Sequence, residues 1–483
     1  MTEGGPTRDV AVVGGGFSGA LLALKLARLR PGDRVHLIER EARAGVGLAY
    51  GACAPFHLLN VPVSRMEVGL QPGFGAWLAA SGEDLSPALA ESGGALADAF
   101  VPRALFGRYM EAQVAAALSP DPACGLRRVR GEAVRLMEPP ARGVVLADGR
   151  EIEADAVVLA TGNMAPGRPP LPDPAGVLEG DRFVPDPWAP GVLASLDPDA
   201  PVLVVGAGLT MVDVVLAMDA AGHRGPITAL SRHGWSPSRH RAGGSWAPFL
   251  TAASPRSPRE ALRVLRRELR RAEAAGVPWQ RVFDAARPDV ARVWRGWDER
   301  ARRAFLRRAR TLWDVHRHRM APRIADAFEA LRRSGRLGLE AGRVAALAPA
   351  EGGVEARVRR RGDRAAEPLG VFGAVVNCTG PASDFARLEA PLFGYMRRRG
   401  LLSADPLRLG LETQGGALVD SSGAPSGWLY AVGPLTRPAL WEVTAVPEIR
   451  AQADELASRL ARGSADDAAP ALDDLFADIG AGI

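Results

Sequence analysis

The sequence predicts an α/β fold, and three observations support this prediction. A short apolar strand, a glycine-rich turn and a helical segment follow one another at residues 9–30 and again from residue 201. An apolar strand that ends in Thr-Gly also occurs twice, at residues 156–162 and 374–380. A strand, a glycine turn and a helix in this order form a dinucleotide-binding unit. The chain is therefore expected to hold two Rossmann-like dinucleotide-binding domains.

The first unit contains each part of a dinucleotide-binding signature. Gly14 allows a tight turn after the strand, Gly16 lets the backbone approach a pyrophosphate, and Gly19 lets the helix pack closely on the strand. The phosphates would lie at the helix N-terminus, where free amides and the helix dipole favour anions. Glu39 ends the second strand, where a carboxylate can accept hydrogen bonds from both hydroxyls of an adenosine ribose. An ordinary glycine-rich turn is the alternative interpretation.

A second glycine-rich loop follows at residues 45–51 and is expected to run close to a bound isoalloxazine ring. Asn60 lies just beyond it and can offer both a donor and an acceptor to a flavin edge. The alternative is that Asn60 only forms the turn before a Val-Pro pair. A buried strand at residues 428–432 ends at Gly433, and a helix is expected from residue 439. This junction is expected to aim backbone amides at the N1 and O2 region of the flavin.

The second unit differs from the first at two positions. Gly206 and Gly208 repeat the first two glycines, but Met211 stands at the third position, so the helix is expected to pack less closely on its strand. The next strand ends in Ser-Arg-His at residues 231–233, with no acid, as expected for an adenosine that carries a 2′-phosphate. Arg232 would bind that phosphate, which favours NADPH over NADH. The alternative is that Arg232 is one surface arginine among many.

The repeated Thr-Gly strand is interpreted as one domain that the chain leaves and re-enters. The predicted organisation is a first part of an FAD-binding domain at residues 1–194, an NADP-binding domain at 195–345 and a second FAD-binding part at 346–483. Between about residues 244 and 340 the pattern turns helical. This stretch is expected to be an insertion that caps the cleft between the two domains.

Two features of the helical stretch are informative. Ser257, Pro258 and Glu260 predict a helix start, as N-cap, first helical residue and capping-box acid. His316 and His318 belong to a His-Arg-His-Arg segment, so on a helix their rings point to different faces, and no carboxylate follows at ligand spacing. A metal site is therefore not expected there. A substrate-facing or cofactor-phosphate role is favoured for this segment.

The composition is that of an ordinary globular protein, because 47% of the 483 residues are hydrophobic and 24% are charged. No apolar run approaches the roughly 20 residues of a membrane helix, and residues 1–8 lack a signal-peptide core, so a cytoplasmic location is expected. Cys53, Cys124 and Cys378 form no CxxC pair, which argues against a disulfide framework, a thiolate metal site and a redox-active dithiol. The net charge of +5 is modest, and nucleic-acid binding is not favoured.

Taken together, these features resemble the two-dinucleotide flavoproteins that include the class B flavin monooxygenases, and the resemblance spans almost the whole chain. More narrowly, several phrases look like those of the urate-hydroxylase-type FAD/NAD(P)-binding proteins. The phrases stand at residues 47–51, 57–62, 102–103, 208–213, 313–319, 441–442 and 447–450. Two departures from the broader class argue against ketone insertion as the reaction. Pro434 replaces an aspartate that many relatives place on the flavin ribityl chain, and the FxGxxxHxxxW phrase of Baeyer–Villiger and flavin-containing monooxygenases is missing.

The resemblance implies FAD in the first domain and NADPH in the second. The residues that it places against FAD are Gly14, Gly16, Gly19, Glu39, Asn60, Thr161, Gly162 and Gly433. The residues that it places against NADPH are Gly206, Gly208, Thr210 and Arg232. No catalytic side chain stands out, which fits chemistry that is carried by a cofactor.

The implied reaction is hydroxylation of a small polar, nitrogen-containing substrate. NADPH reduces FAD, molecular oxygen adds at the flavin C4a position, and retained NADP+ in a dry pocket protects the C4a-peroxyflavin until the substrate arrives. The alternative is a FAD-dependent NAD(P)H dehydrogenase or reductase without oxygen insertion, because oxygen reactivity depends on the shape of the pocket. A third hypothesis is a basic flavoprotein that chiefly binds a partner or nucleic acid, which requires the arginines of residues 256–310 to form one stripe.

Overall fold

The computed structural model describes residues 7–121, 123–250 and 255–462. Within these ranges no helix is long and apolar enough to cross a membrane. The strands are, in chain order, β1 Asp9–Val13, β2 Arg34–Glu39, β3 Gly125–Arg130, β4 Ala133–Met137, β5 Gly143–Leu146, β6 Glu151–Glu153, β7 Ala156–Leu159, β8 Phe183–Val184, β9 Val202–Val205, β10 Ile227–Ser231, β11 Leu337–Ala341, β12 Arg343–Ala350, β13 Gly353–Arg359, β14 Glu367–Phe372, β15 Ala374–Asn377, β16 Thr413–Gln414, β17 Ala417–Val419 and β18 Pro425–Ala431.

The α-helices of the same ranges are, in chain order, α1 Phe17–Leu29, α2 Gly47–Gly51, α3 Phe74–Ala80, α4 Ser86–Glu91, α5 Arg103–Ala117, α6 Leu209–Ala220, α7 Pro258–Ala274, α8 Trp279–Ala286, α9 Val290–Arg295, α10 Glu299–Arg308, α11 Arg310–Arg317, α12 Pro322–Arg333, α13 Pro391–Arg398 and α14 Val446–Arg462.

The first sheet has seven strands in the order β16-β17-β18-β7-β1-β2-β3. From β18 to β3 neighbouring strands run parallel, while β16 and β17 continue the sheet antiparallel. The central strands β1 and β7 are apolar and almost fully buried, as strands of a parallel sheet covered on both faces must be. One face packs on α1, α5 and α14. The other face packs on α13 and on the small antiparallel sheet β4-β5-β6.

The second sheet has five parallel strands in the order β11-β10-β9-β15-β8. Its two faces are covered by different kinds of structure. Buried side chains of α6 and α12 cover one face, and the antiparallel sheet β12-β13-β14 covers the other. Each of these two sheets therefore has helices on one face and a small antiparallel sheet on the opposite face.

The position of β15 corrects the predicted domain boundaries. Its residues were assigned to the FAD-binding part that begins at residue 346, but β15 pairs with β9 in the second sheet, with Ala374 opposite Val202. β8 was assigned to the part before residue 194, and it pairs with β15. In each sheet, an apolar strand that leads into Thr-Gly lies beside the strand of the glycine turn. The repeated phrase thus marks equivalent positions in two sheets, and not the return of one domain.

Helices α7 to α11 form the insertion. Their side chains surround a cluster that includes Trp294 and Trp297, and the cluster also contains Leu409 and Trp441 from the chain that follows the second sheet. Helix α12 packs differently, because its buried Phe328 lies in the core with α6 and β11. It is the helix that leads into β11, so the insertion ends before α12 and not near residue 340 as predicted.

Candidate functional site

The first glycine turn joins β1 to α1 and is shaped by close backbone contacts. Gly14 has a φ of +104°, and a Cβ there would lie 2.4 Å from the carbonyl oxygen of Ala160. A Cβ at Gly19 would lie 1.9 Å from the carbonyl oxygen of Gly14. Strand, turn and helix therefore fit only with glycine at these two positions. A Cβ at Gly16 would meet Gly47 of the second glycine-rich loop, with 3.3 Å to its Cα.

The start of α1 is free of side-chain caps. Its N-cap is Gly16, no side chain bonds to it, and its first turn holds no acidic residue. Uncapped amides at a helix start carry partial positive charge and bind anions. Thr161 lies against this turn, since a Cβ at Gly14 would be 3.0 Å from its Cα. The buried Oγ1 of Thr161 has no hydrogen-bond partner among the described residues, so a bound polar group would satisfy it.

Glu39 ends β2, and two backbone amides fix its carboxylate. The amide of Gly15 donates to Oε2 over 2.7 Å, and the amide of Glu41 donates to Oε1 over 2.9 Å. A carboxylate has about four acceptor sites, so each oxygen can still accept a further hydrogen bond. The carboxylate is thus held beside the glycine turn. Gly162, also beside the turn, has a φ of +68° and open space where a Cβ would be.

Asn60 and Gly433 differ in how far they are available to a ligand. Asn60 is exposed in the loop after α2. Gly433 is buried, and its amide donates to Oε1 of Gln452 over 2.8 Å. The amide of Gly433 therefore has a partner in α14, as a buried N–H requires, and the contact of Gly433 with a flavin stays a prediction. The predicted helix also begins later, at Val446.

The second glycine turn joins β9 to α6 and repeats the first. Gly206 has a φ of +117°, and a Cβ there would lie 2.2 Å from the carbonyl oxygen of Cys378, which follows β15. Gly208 is the exposed N-cap of α6, and no side chain caps this helix either. Thr210 is half-buried in its first turn. Met211 is fully buried in the core of the second domain.

Arg232 belongs to a cationic surface at the end of β10, defined by Arg232, Arg310 and Arg343. Arg232 is exposed, and its Nη2 donates to Oγ1 of Thr311 over 3.1 Å. Burial lowers the pKa of Arg232, the charges of Arg343 and Arg310 lower it further, and Asp314 opposes them. Because Arg310 comes from the insertion and Arg343 from β12, three separate elements supply this surface. An anion bound here would relieve the mutual repulsion of the arginines.

An ion pair joins the two domains between α5 and α6. Arg103 Nη2 donates to Asp213 Oδ2 over 2.5 Å, and only 18% and 13% of the two side chains are exposed. His57 supports the same contact, because its Nδ1 accepts from the amide of Ala54 and its Nε2 lies 3.2 Å from the carbonyl oxygen of Asp213. Only the neutral ring with its proton on Nε2 makes both bonds. Burial lowers the pKa of His57; the charge of Asp213 opposes this shift and that of Arg103 adds to it.

The His-Arg-His-Arg segment ends α11 at the contact between the insertion and the first domain. His316 Nδ1 lies 2.8 Å from the carbonyl oxygen of Leu312, and the ring stacks on Phe283. Arg317 and Arg319 are both 5% exposed. In the part of the chain that the structure describes, no group of three or more His, Cys, Asp or Glu side chains is arranged to hold a metal ion. The segment therefore contributes buried arginines.

Sequence reasoning did not identify several residues of this region. The Arg103 to Asp213 pair joins positions 110 residues apart, and the bond between Gln452 and Gly433 depends on how α14 packs. Arg65, whose surroundings are described below, follows the Asn60 loop without any distinctive spacing. Pro102-Arg103 and residues 208–213 were visible only as phrases that resemble those of related proteins. No periodic pattern predicts contacts of this kind.

Comparisons with known proteins agree with this architecture. A protein-family model described as FAD-NAD(P)-binding matches residues 11–164. No curated protein matches the chain. The ornithine N-hydroxylase KtzI of Kutzneria sp. 744 is similar, with a TM-score of 0.63 and 15% identity over 95% of this chain and 99% of that one. The cadaverine monooxygenase DfoA of Erwinia amylovora gives 0.63 and 13% over 97% and 99%. The bacillithiol disulfide reductase Bdr of Bacillus cereus gives 0.52 and 15% over 95% and 99%.

At these identities the similarity establishes the fold. The predicted α/β class with two Rossmann-like dinucleotide-binding domains is confirmed, and nearly the full length of each solved structure is covered. The family model spans β1, the first glycine turn, β2, β3 and β7, which is the region from which FAD binding was predicted. The fold is shared by monooxygenases and by a disulfide reductase, so the reaction has to be argued from the site.

Proposed function

We propose that this chain is a flavin-dependent oxidoreductase that acts as an FAD- and NADPH-dependent monooxygenase on a small polar, nitrogen-containing substrate. The proposal is carried by two uncapped glycine turns, one beside each of the two large sheets. The ion pair of Arg103 and Asp213 joins the two domains that contain these turns. Two such turns in one chain can hold two dinucleotides in a shared cleft. The chemistry of a flavin and a nicotinamide needs this arrangement.

FAD fits the first turn. The uncapped start of α1 would receive the pyrophosphate, and the fixed carboxylate of Glu39 would accept from the adenosine ribose. The unpartnered hydroxyl of Thr161 would bond to the cofactor. The residues proposed to contact FAD are Gly14, Gly16, Gly19, Glu39, Asn60, Thr161 and Gly162. Gly433, the eighth residue predicted to contact FAD, packs against α1, since a Cβ there would lie 2.5 Å from Oγ of Ser18.

NADPH fits the second turn. The uncapped start of α6 would receive its pyrophosphate, with Gly206, Gly208 and Thr210 around it. The cationic surface at the end of β10 would receive the 2′-phosphate, where Glu39 occupies the equivalent place in the first domain. A carboxylate at that place suits a free ribose and arginines suit a phosphate. The two sites are therefore proposed to bind different adenosines.

Bound FAD supplies the redox and oxygen chemistry, and the side chains of this chain supply position and shelter. The ion pair of Arg103 and Asp213, with the neutral ring of His57, would hold the two dinucleotide sites in one relative orientation. The insertion packs its aromatic cluster against Trp441 and closes the first domain on that side. Exclusion of water from such a site limits the wasteful release of hydrogen peroxide.

The choice of a nitrogen-containing substrate is supported by the solved structures that share the fold. Two of them are described as acting on ornithine and on cadaverine, and both of these molecules are amines. The narrower resemblance to urate-hydroxylase-type proteins points to a nitrogen heterocycle instead. Both classes are small and polar, so ornithine, cadaverine and urate are the first compounds to test.

The deciding experiment measures NADPH oxidation under air by the purified full-length protein, with each compound in turn. A monooxygenase should carry FAD, should consume NADPH faster with its substrate, and should form hydroxylated product in proportion to the NADPH used. If the hydrogen peroxide formed equals the NADPH oxidised with every compound, the proposed oxygen insertion is wrong. A dehydrogenase or reductase, the class to which the Bacillus cereus relative belongs, would then be the better assignment. Protein that retains no flavin would contradict both.

A further inference from the structure

A group of charged side chains is enclosed where the insertion meets the first domain. We call it the arginine cluster, and its members come from 3₁₀ turns, helices and connecting segments that are far apart in the sequence. Its cations are Arg65, Arg281, Arg287, Arg317 and Arg319, and its acids are Asp284, Glu442 and Glu448. Five arginines face three carboxylates, which leaves two positive charges in excess.

Two of the acids are paired with Arg287 and Arg317, and Arg317 Nη2 also lies 4.0 Å from Glu448 Oε1. Arg287 forms a two-pronged ion pair with Glu448, and both side chains are largely buried. Arg317 Nε lies 3.2 Å from Glu442 Oε2, and Trp313 Nε1 donates to the other oxygen of Glu442 over 2.7 Å. These pairs tie the insertion to the start of α14. They leave no acid over for the remaining three arginines except Asp284.

Asp284 is shared, and Arg65 has no partner. Arg319 Nη2 donates to one oxygen of Asp284 over 2.5 Å, and Arg281 Nη2 lies 3.0 Å from the other. Arg65 is half-buried on the 3₁₀ turn Val63–Met66, and its guanidinium makes no hydrogen bond or ion pair with the described residues. Burial lowers the pKa of Arg65, and the charges of Arg287, Arg281 and Arg317 lower it further against the opposing charge of Asp284.

Several donors of the cluster are also unused. Arg281 Nε, Arg317 Nη2 and Arg319 Nε are buried and have no hydrogen-bond partner among the residues described. Arg317 and Arg319 are both 5% exposed, so bulk water does not satisfy these groups. Buried donors of this kind are rare in native proteins, and an excess of buried charge is costly unless an ion of opposite sign is bound.

The side chains described around the cluster do not neutralise its excess positive charge. His240 faces the cluster, and burial lowers its pKa to about 4, with the charges of Arg319 and Arg281 adding to the shift. Its ring is therefore neutral at physiological pH and supplies no negative charge. The side chain of Arg281 reaches the carbonyl oxygen of Arg241 over 3.0 Å, which uses one donor and leaves the charge in place. The cluster remains cationic.

We propose that the arginine cluster is an anion site that binds a carboxylate group of the substrate, with Arg65 as its accessible contact. This inference rests on the proposed function and narrows its substrate to small acids that also carry nitrogen. Guanidinium groups form charge-assisted hydrogen bonds with carboxylates, so a carboxylate suits the excess positive charge and the unused donors of the cluster. Arg65 stands five residues after Asn60, which the proposed function assigns to the flavin.

Arg65 suits a direct test because its removal breaks no bond. Arg65→Gln removes one repelling charge from the cluster, so the ligand-free protein should unfold at the same temperature or a higher one. A purely structural arginine would show the opposite, a lower unfolding temperature. Sites kept for function often lower stability in this way. Arg28→Gln is the matched control, because Arg28 lies on α1 in the same domain and is exposed.

The binding experiment uses matched pairs of an acid and its amide, benzoate with benzamide and glutamate with glutamine, added to the full-length protein at constant ionic strength. We expect each acid to raise the unfolding temperature in a saturable way, and its amide to do so much less. Arg65→Gln should weaken acid binding about tenfold or more, because one charge-assisted contact is lost. Arg65→Lys should recover part of the affinity, and Arg28→Gln should bind the acids like the wild type.

The result that overturns the inference is an acid that stabilises no more than its amide, or acid binding that is equal in Arg65→Gln and the wild type. Titration with NADP+ separates a second source of the anion. If Arg65→Gln weakens NADP+ and leaves benzoate binding intact, the cluster serves a coenzyme phosphate and the substrate assignment is wrong. These readouts need no turnover. Failure of flavin reduction by NADPH would therefore contradict the proposed function without affecting the test of acid binding.

Discussion

The three glycines of the first turn have different physical roles at the scale of single residues. Gly14 and Gly19 are required by backbone contacts, because a Cβ at either position would overlap a carbonyl oxygen. Gly16 has an ordinary φ of −69°, and a Cβ there would meet only Gly47, at the edge of normal contact. A side chain at Gly16 is therefore expected to reduce FAD binding more than the stability of the fold.

Gly16→Val should give a folded protein that has lost most of its FAD. The branched side chain would occupy the space through which the pyrophosphate approaches α1. The measurement is the ratio of flavin to protein absorbance after purification. Gly32→Val is the control, because a Cβ at Gly32 meets nothing within 4 Å, and this variant should retain its FAD. A fully flavinylated, well-folded Gly16→Val protein would remove this turn from the FAD site.

Because the ring of His57 is neutral in the folded protein, the free energy of unfolding should depend on pH. Its pKa is lower in the folded chain than the value of about 6.5 expected when unfolded, so the unfolded state binds more protons between these two values. Stability should therefore fall as the pH falls below about 6.5, by at most about 1.4 kcal/mol per pH unit for this group. His57→Asn keeps an acceptor near the position of Nδ1 and cannot be protonated. Its unfolding temperature should fall less than that of the wild type between about pH 7.5 and 5; equal slopes would contradict the role of His57.

Local signals predicted the start of α7 correctly. Oγ of Ser257 accepts from the amide of Glu260 at the start of α7, as the capping pattern predicts, and the Glu260 carboxylate reaches the amide of Arg256. Asp148 and Gly149, a residue pair that favours a hairpin turn, lie between β5 and β6. These features depend on residues a few positions apart. The strand with which β15 pairs depends on the arrangement of the whole sheet. The apolar sequence of β15 suits the first sheet as well as the second.

The three arginines at the end of β10 should together determine the preference for NADPH over NADH. Arg232→Ala removes one of three arginines at that surface, so NADPH should weaken by about tenfold, the lower end for loss of a charge-assisted hydrogen bond of 1.5 to 3 kcal/mol. NADH lacks the phosphate and should change little. The measurement is the ratio of kcat/KM for flavin reduction by NADPH and by NADH.

The double variant Arg232→Ala with Arg343→Ala should lower that ratio further than either single variant. Arg224→Ala is a suitable control, because Arg224 lies in the same domain and pairs with Asp199 on the surface. An unchanged ratio in the double variant would leave the coenzyme preference unexplained and would remove the end of β10 from the NADPH site.

At the scale of the whole molecule, the sequence determines the two sheets more clearly than the surfaces between them. Both glycine turns could be predicted because each is a short pattern with a steric reason. Other features could not be predicted, since each is made by segments that meet only after folding. They are the arginine cluster, the ion pair of Arg103 and Asp213, and the hydrogen bond from the Gly433 amide to Gln452. The insertion was recognised as helical, but α12 was included in it because a helix of the second sheet has the same apolar spacing.

The contact between the domains should control how fast NADPH reduces the flavin. Asp213→Asn leaves the guanidinium of Arg103 largely buried without a charge partner, and loss of one partner of a buried pair costs about 3 to 5 kcal/mol, less where some solvent reaches it. We expect a lower unfolding temperature and slower flavin reduction at saturating NADPH. Asp219→Asn is the matched control on the same helix, because Asp219 pairs with Arg336 within the second domain and is more exposed. It should reduce the flavin at the wild-type rate. If Asp213→Asn is destabilised but reduces its flavin as fast as the control, the ion pair supports the fold alone and does not set the orientation of the two sites.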